Sequence, residues 1–336
     1  MAAAKQLIDP YVGKPSEFPI DEPLAGPLPA GTTFAYLQCP IPTCALMAEV
    51  VTGAAGMLGV ELNAVPASSS AESMQSAMNS IIEMEPDAVL LPPIEASIIS
   101  KQLATLKNAG VPVVSLGMSD AAKYGITAGV AGRGSNELAG RLLAGWVVNK
   151  HGADTHAVYY GTPELTFSPI MQEAFEKELK ALCSGCESRA VDLSITTLGT
   201  TAPSAVVSDL QSHPDTSVAV FAASEATSGL PAALRTADIG VDTLVFAPSP
   251  AALADIQGGG ITAGLGVDFP VAEFLTVDAA ARLVLEQPLG SNQSGDEGGI
   301  APFQFLEKAD ITFDPSKGWT GYPDFAERFG ALWGVS

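Results

Sequence analysis

Short apolar runs rich in β-branched and aromatic residues alternate along the chain with longer runs that repeat apolar positions at the period of a helix. From Thr32 onward the short runs are "TTFAYLQ", "VELNAVPA", "DAVLLPP" and "VPVVSLG". The runs between them, over 43 to 58, "AESMQSAMNSIIEM" and "ASIISKQLATLKNAG", have helical patterning. This alternation is typical of a parallel sheet covered by helices on both faces. We therefore predict an α/β fold.

The same alternation begins again after a predicted helix over about 135 to 150. The predicted strands are "THAVYYG", "ESRAVDLS", "SVAVFAA" and "DTLVFAP", followed by helices over 168 to 182, 203 to 212, 225 to 237 and 250 to 257. "ITAGLGV" and a helix over 271 to 286 close the series. Two successive series predict two doubly wound parallel-sheet lobes. Ligands of such sheets bind beyond the carboxyl ends of the strands, so the strand-to-helix connections are the candidate site.

The first 30 residues lack this periodicity. They contain "GKPSEFPIDEPLAGPLPAG", which is rich in proline and acidic residues, and we predict an extended leader or tether over 1 to 30. The opening "MAAAKQLIDP" has neither a basic region nor an apolar stretch, so we expect no secretory signal in this chain.

The balance of charge excludes two classes of partner. With 37 Asp and Glu against 16 Lys and Arg, the net charge is -21. Such a charge opposes the phosphate contacts that dominate nucleic-acid binding, and it gives no attraction to anionic lipid. The longest apolar runs, such as "DAVLLPPIEASII", end well short of the roughly 20 residues that a membrane-spanning helix needs.

Five longer segments occur in a recognisable order. They are "FAYLQCPIPTCALMAEVVTGAAGMLGVEL", "PDAVLLPPIEASIISKQLATLKNAGVPVVSLG", "GSNELAGRLLAGWVV", "HPDTSVAVFAASEATSGLPAAL" and "ALADIQGGGITAGLGVD". In this order they resemble the periplasmic (type 1) solute-binding proteins of the ribose-binding type, whose fold is shared by the ligand domains of lactose-type repressors. The resemblance covers about residues 31 to 300.

The resemblance implies an organisation and a function. The chain of such proteins crosses between lobes three times, which implies an N-terminal lobe of 31 to 132 and 268 to 298. The C-terminal lobe would be 133 to 267, with 299 to 336 as its tail. The implied protein is extracytoplasmic, in the periplasm or lipid-anchored at the cell surface, and delivers a small molecule to the membrane permease of an ABC importer. We expect a monomer without enzyme activity, cofactor or metal.

The positions at which this family grips sugars are mostly apolar here. A family Asp falls on Gly117, the adjacent Arg on Met118 and a second Arg near Met171. Because each sugar hydroxyl taken from water needs a new polar partner, the resemblance implies a ligand that is less hydroxylated and more apolar than a simple sugar. The candidate ligand-binding residues are Gln38, Cys39, Ile41, Thr43, Cys44, Glu95, Met118, Arg133, Thr162, Phe167, Met171, Ser224, Glu225, Pro248 and Asp268.

Most candidates also have a purely structural interpretation. Glu95 and Glu225 lie at helix starts, where a carboxylate interacts favourably with the helix dipole. Met118 and Met171 can be ordinary core residues, and Asp268 can bond the backbone near the hinge. The same holds, as helix caps or loop packing, for Gln38, Thr43 and Phe167.

A cleft position for Ile41 and Met118 has a testable consequence. If neither residue is central to a lobe's own core, replacing either with Asp abolishes binding and leaves the fold intact.

The four cysteines form two sequence-local pairs. Cys183 and Cys186, in "LCSGCE", end a helix, and we predict a structural disulfide and hence an oxidising compartment. Cys39 and Cys44 are separated by "PIPT", whose prolines fix two φ angles and disfavour a strain-free disulfide. We expect both to be free, with a bond between them as the alternative. The three histidines show no metal-ligand spacing.

Three other functions compete with transport. One is a ligand-sensing receptor module, and a second is a sugar or sugar-alcohol binder with an atypical site. The third is a cysteine-dependent redox or hydrolytic enzyme, which the absence of a histidine near either strand-end cysteine disfavours.

Overall fold

The computed structural model describes residues 1–15, 17–39, 42–290, 292–293 and 299–335, without the side chains of residues 42 and 43. The described strands are β1 (Thr33–Gln38), β2 (Glu61–Pro66), β3 (Ala88–Leu91), β4 (Val113–Leu116), β5 (Ala128–Val130), β6 (His156–Gly161), β7 (Glu187–Asp192), β8 (Val218–Phe221), β9 (Asp242–Phe246), β10 (Ala263–Val267) and β11 (Phe303–Glu307). The described α-helices are α1 (Ala2–Ile8), α2 (Pro42–Met57), α3 (Ala71–Glu83), α4 (Ser100–Ala109), α5 (Arg133–His151), α6 (Phe167–Leu182), α7 (Ala202–Ser212), α8 (Leu230–Thr236), α9 (Pro250–Gly258), α10 (Phe269–Val284) and α11 (Phe325–Trp333).

The chain forms two compact units, and the predicted α/β class with two parallel-sheet lobes is confirmed. The N unit consists of Glu17–Ser135, Asp268–Pro302 and Tyr322–Ser336. The C unit consists of Met1–Ser16, Asn136–Val267 and Phe303–Gly321. The chain therefore passes from one unit to the other five times, whereas the resemblance implied three crossings.

The N unit contains a five-stranded parallel sheet in the order β2-β1-β3-β4-β5. The strands β1, β3 and β4 are short and almost entirely apolar, as expected for strands that are buried on both faces. On one face, Leu37 and Val89 pack with Met78 of α3 and Leu103 of α4. The predicted strands and helices of this unit are all present, and the short strand β5 adds to them.

The C unit contains a six-stranded sheet in the order β11-β10-β9-β8-β6-β7. Five strands are parallel, and β11 runs antiparallel to β10, with Phe303 opposite Val267. The helix predicted over 225 to 237 is divided, because Gly229 adopts a positive φ of 82° and α8 begins only after it. The divided region leaves a short 3-10 turn, Ser224–Thr227, directly after β8.

The two ends of the chain differ from the prediction. Residues 1 to 30 were predicted to be extended, but the leader begins with α1 in the C unit. The tail was predicted to belong to the C-terminal lobe, but residues 322–336 belong to the N unit. Packing of aromatic rings explains this placement, because Phe274 of α10 stacks on Trp333 of α11 at 5.5 Å and contacts Phe329 at 5.1 Å.

Replacing Gly140 with Ala is expected to destabilise the C unit, since α5 and α6 approach each other backbone to backbone there. A Cβ atom at Gly140 would overlap the carbonyl oxygen of Met171 and lie 2.9 Å from the Cβ of Ala174. Overpacking of this kind costs about 1–3 kcal/mol or more. The matched control is Gly53→Ala in α2, where a Cβ meets nothing within 4 Å and helix propensity favours Ala by about 0.5–1 kcal/mol. Denaturant unfolding of both variants checks the prediction, and an equal response of the two would contradict it.

Candidate ligand-binding site

Three strand-to-helix connections of the C unit lie side by side, because β9, β8 and β6 are neighbours in the sheet. The amide of Ser249, after β9, donates to Ser224 Oγ, after β8, at 3.2 Å. The ring of Phe167, at the start of α6, lies 5.9 Å from the ring of Phe246, at the end of β9. Three of the predicted segments of this unit are thus joined by direct contacts at the carboxyl edge of its sheet.

The connection after β6 is fixed by its own hydrogen bonds. Thr162 is 1% exposed, and its amide donates to Ser168 Oγ at 2.9 Å. The carbonyl of Thr162 accepts from the amide of Leu165 at 2.9 Å. These bonds hold Phe167, which is partly buried, at the first turn of α6. Phe167 therefore has more exposed surface that a ligand could contact than Thr162 has.

The connection after β8 carries the polar groups of this edge. Ser224 is 5% exposed, and its hydroxyl lies 3.4 Å from Glu225 Oε2. The carbonyl of Ser224 accepts from Thr227 Oγ1 at 2.7 Å, which closes the short turn. Glu225 remains partly exposed. This edge consequently retains carboxylate surface of Glu225, whereas the Ser224 hydroxyl is buried and bonded to Glu225 and to the amide of Ser249.

In the connection after β9, one alanine adopts a strained backbone conformation. Ala247 has a φ of 49°, in the left-handed region, although it is not glycine. A non-glycine residue in this conformation costs about 1–2 kcal/mol. Strained residues of this kind cluster at functional sites, where the surrounding structure enforces them. Pro248, which follows, is partly exposed and leaves no room for a side chain at Gly264 of β10.

In the N unit, the end of β1 is tied to the start of α2. Cys39 and Cys44 form a disulfide, so the expectation that both are free is wrong. The two prolines between them do not prevent the bond, since the Cα atoms lie 5.6 Å apart, within the usual range for disulfides. The carbonyl of Gln38 accepts from the amide of Ala67 at 2.8 Å. Two further candidates fall outside the description: residue Ile41 and the side chain of Thr43.

Met118 and Met171 lie in hydrophobic cores. Met118 is 2% exposed and belongs to the apolar cluster of the N unit between the sheet, α3 and α4. Met171 is fully buried in α6, where that helix meets Gly140. The idea that an Asp at Met118 would spare the fold is therefore wrong, because it would place a charge in the core.

The acidic candidates cap helices. Glu95 accepts a hydrogen bond from the amide of Ser97 at 3.2 Å, and its side chain is exposed. Asp268 is fully buried and accepts from the amide of Val271 at 3.2 Å, which caps α10. Arg133, at the start of α5, lies 3.9 Å from Asp120, and both side chains are partly exposed. Glu95 and Arg133 thus retain surface for a ligand, whereas Asp268 does not.

The prediction missed the aromatic residues of the C unit that adjoin Phe167. Phe246 lies 6.5 Å from Phe303 of β11, and Phe303 lies 6.4 Å from Tyr11 of the leader. The position of Phe246 as the last residue of a strand was a usable signal. Nothing in the local sequence connects Phe303 or Tyr11 with this edge, because β11 and the leader were not predicted as parts of it.

The second cysteine pair behaves as predicted. Cys183 and Cys186 form a disulfide directly after α6, and the predicted bond is confirmed. Both sulfurs lie near the carbonyl of Gly152, so the bridge packs against the end of α5. The bridge follows the last residue of α6, whereas the candidate Phe167 lies at the first residue of that helix, in keeping with a structural role.

Two α/β units, each built on a largely parallel sheet, are the architecture of two-lobed binding proteins. The family model of the periplasmic binding protein domain matches residues 40–288. The chain belongs to this family of binding proteins, and membership implies an extracytoplasmic location. Within the described residues, every helix falls short of what a bilayer crossing requires.

Solved structures share the fold at low sequence identity. The substrate-binding protein of a sugar ABC transport system from Bordetella parapertussis has a TM-score of 0.75 and 18% identity, covering 90% of this chain and 98% of that one. The periplasmic ribose ABC transporter protein from Conexibacter woesei has a TM-score of 0.73 and 17% identity, with 91% and 99% covered. The Caulobacter myo-inositol binding protein has a TM-score of 0.71 and 18% identity, with 86% and 97% covered. No curated protein matches the chain significantly.

Proposed function

We propose that this protein captures a small molecule at the carboxyl edges of its two sheets and delivers it to the permease of an ABC importer. The family match over residues 40–288 carries the proposal. Structural neighbours described as sugar-binding components of ABC transport systems support it. Capture by closure of two lobes is the hinge mechanism that such folds permit.

We propose further that the ligand is less hydroxylated and more apolar than a simple sugar. Phe167 adjoins Phe246 in the C unit, and the partly exposed Pro248 follows two residues later. Thr162 and Ser224 at this edge are small, uncharged and buried, so they add no charged partner for hydroxyl groups. Apolar surface of this kind contributes about 25 cal/mol per Å² when it is removed from water. Glu225 is proposed to orient the ligand through one polar group. In the N unit, the proposed contacts are Gln38, Cys39, Glu95 and Arg133.

Ribose, glucose, galactose and myo-inositol are expected to bind weakly. Charged partners of hydroxyl groups contribute about 1.5–3 kcal/mol each, and the absence of several lowers affinity by orders of magnitude. The measurement is a thermal-shift series with each sugar. A large stabilisation at micromolar concentration by any of the four would contradict the proposed ligand class and support a sugar or sugar-alcohol binder instead.

Native mass spectrometry of the purified protein tests capture itself. We expect a retained small molecule that Phe167→Ala releases, because the exposed part of this ring would lose its contact. Lys177→Ala, on the exposed face of the same helix, is the matched control and should retain the molecule. Retention that is equal in both variants would place the ligand elsewhere.

A further inference from the structure

Two of the five crossings between the units are made by the ends of the chain. They follow residues 16 and 321, in the leader and in the tail. Both lie outside residues 40–288, which the family model matches. Both crossings join segments that contact each other, and these contacts indicate what the crossings do.

The leader and the tail run side by side at these crossings. In the C unit, Pro15 packs so closely on Gly321 that a Cβ atom there would overlap the ring and lie 2.8 Å from Pro15 Cδ. In the N unit, Tyr322 Oη donates to the carbonyl of Glu17. The ring of Phe18 then meets the ring of Tyr322 edge-on at 5.2 Å. The two segments are thus in contact immediately before and immediately after the crossing.

Little chain separates the contacts on the two sides. Gly321 and Tyr322 are consecutive, and Pro15 and Glu17 are two residues apart, a span of at most ~7 Å in extended chain. Neither segment has slack that a change in the orientation of the units could take up.

The leader is anchored in both units. In the C unit, Leu7 and Ile8 of α1 fill the space beside Gly145 of α5. In the N unit, three side chains donate to backbone carbonyls of the leader. These bonds run from Arg282 Nη2 to Glu22 at 2.5 Å, from Asn292 Nδ2 to Pro19 at 2.7 Å and from Gln287 Nε2 to Pro23 at 2.9 Å.

The tail is also fixed next to its crossing. Tyr322 is 5% exposed, and burial, followed by the nearby Asp268 carboxylate, raises the pKa of its hydroxyl to about 12. Asp268 is the first residue of the N unit after the crossing that follows Val267. Within the N unit, the tail therefore begins beside the start of α10.

We propose that Pro15 and Glu17 of the leader, with Gly321 and Tyr322 of the tail, form an additional paired connection that restrains the relative motion of the two units. Because both sides of each crossing are anchored, any reorientation must be absorbed by a few backbone bonds. The restraint itself does not depend on the proposed function; only its consequence for ligand binding does. In a protein that closes on a ligand, the connection narrows the range of open states and lowers the entropy that closure costs.

The test measures distances between spin labels on the two units of the ligand-free protein. The labels are attached at exposed positions through Glu83→Cys in the N unit and Lys177→Cys in the C unit. Gly321→Ala pushes the tail away from Pro15, and Tyr322→Phe removes the hydrogen bond to Glu17 while keeping the ring beside Phe18. In both variants we expect the distance distribution to broaden and to include distances that the parent lacks.

Gly26→Ala is the matched control, since it lies in the leader beyond the anchors and a Cβ there meets nothing within 4 Å. Its distribution should equal that of the parent. If Gly321→Ala does not fold, Tyr322→Phe alone decides, because it removes a single atom. Unchanged distributions in folded variants, or equal broadening in the control, would overturn the proposal. This outcome is independent of ligand capture, which the retained molecule in native mass spectrometry tests separately.

Discussion

Replacing Asp278 with Asn is expected to lower the free energy of unfolding by about 3–5 kcal/mol. Asp278 is fully buried and accepts hydrogen bonds from Arg282 Nε at 2.6 Å, Gln293 Nε2 at 2.6 Å and Trp333 Nε1 at 2.7 Å. The amide NH2 group of Asn is a hydrogen-bond donor and would face two of these donor groups instead of accepting from them. The Arg282 guanidinium, which is 1% exposed, would also lose its counter-charge. The loss reflects a buried charge left uncompensated.

Asp324→Asn is a matched control for this experiment. Asp324 and Arg328 form an ion pair at the same i,i+4 spacing as Asp278 and Arg282, but their side chains are 47% and 43% exposed. Exposed pairs contribute little, so this variant should unfold close to the parent. Denaturant unfolding of both variants gives the comparison. Similar midpoints for the two would show that the buried network does not support the N unit as described.

Replacing Glu273 with Gln is expected to stabilise the protein by about 3 kcal/mol at pH 7. Glu273 is 1% exposed in α10, and neither carboxyl oxygen has a hydrogen-bond partner in the described structure. Burial raises its pKa to about 8. Tyr36 Oη is similarly buried without a partner, and burial, followed by the nearby Glu273 carboxyl, raises the pKa of Tyr36. Folding at pH 7 therefore requires a proton on Glu273, which Gln does not need.

The stabilisation by Glu273→Gln is expected to depend on pH, because the pKa of Glu273 differs between the folded and unfolded protein. The folded protein binds a proton that the unfolded chain releases above about pH 4.5, so the contribution of Glu273 to stability is complete below that pH. It declines as the pH rises toward 8. The difference between Glu273→Gln and the parent should therefore be small at pH 4 to 5, as a rough range, and grow up to about pH 8. Thermal unfolding of both proteins across this range measures it, and a difference that does not vary with pH would contradict the assignment.

The strands and helices of the central part of the chain were predictable because their patterns are local. Runs such as "AVLL" are apolar at every position, which is typical of a strand buried on both faces. The ends of the chain were not predictable in this way. α11 has few residues and becomes stable through contacts of Phe329 and Trp333 with Phe274, which is distant in sequence. A local pattern contains no information about such a partner.

At the candidate site, the sequence predicted the positions of segments along the sheet edge but not the directions of their side chains. Strand-end positions predicted that the connections after β6, β8 and β9 lie at one edge of the sheet, where Phe167 contacts Phe246 and Ser249 bonds Ser224. Position alone does not say where a side chain points, and Met118 and Met171 turn into cores. The disulfide between Cys39 and Cys44 depends on the distance between the end of β1 and the start of α2, which backbone folding decides and proline content does not.

Neither unit is a continuous stretch of chain, and this arrangement affects how the protein is made. The N unit is completed only by residues 322–336, which are synthesised after every other segment of the unit. Until Trp333 is synthesised, Phe274 lacks the ring that stacks on it, and Asp278 lacks one of its three side-chain donors. Contacts between such distant residues slow folding. In an extracytoplasmic protein, slow folding keeps the chain unfolded for longer, which suits passage through a membrane. The same feature means that no single cut in the gene yields either unit as an independently expressed fragment.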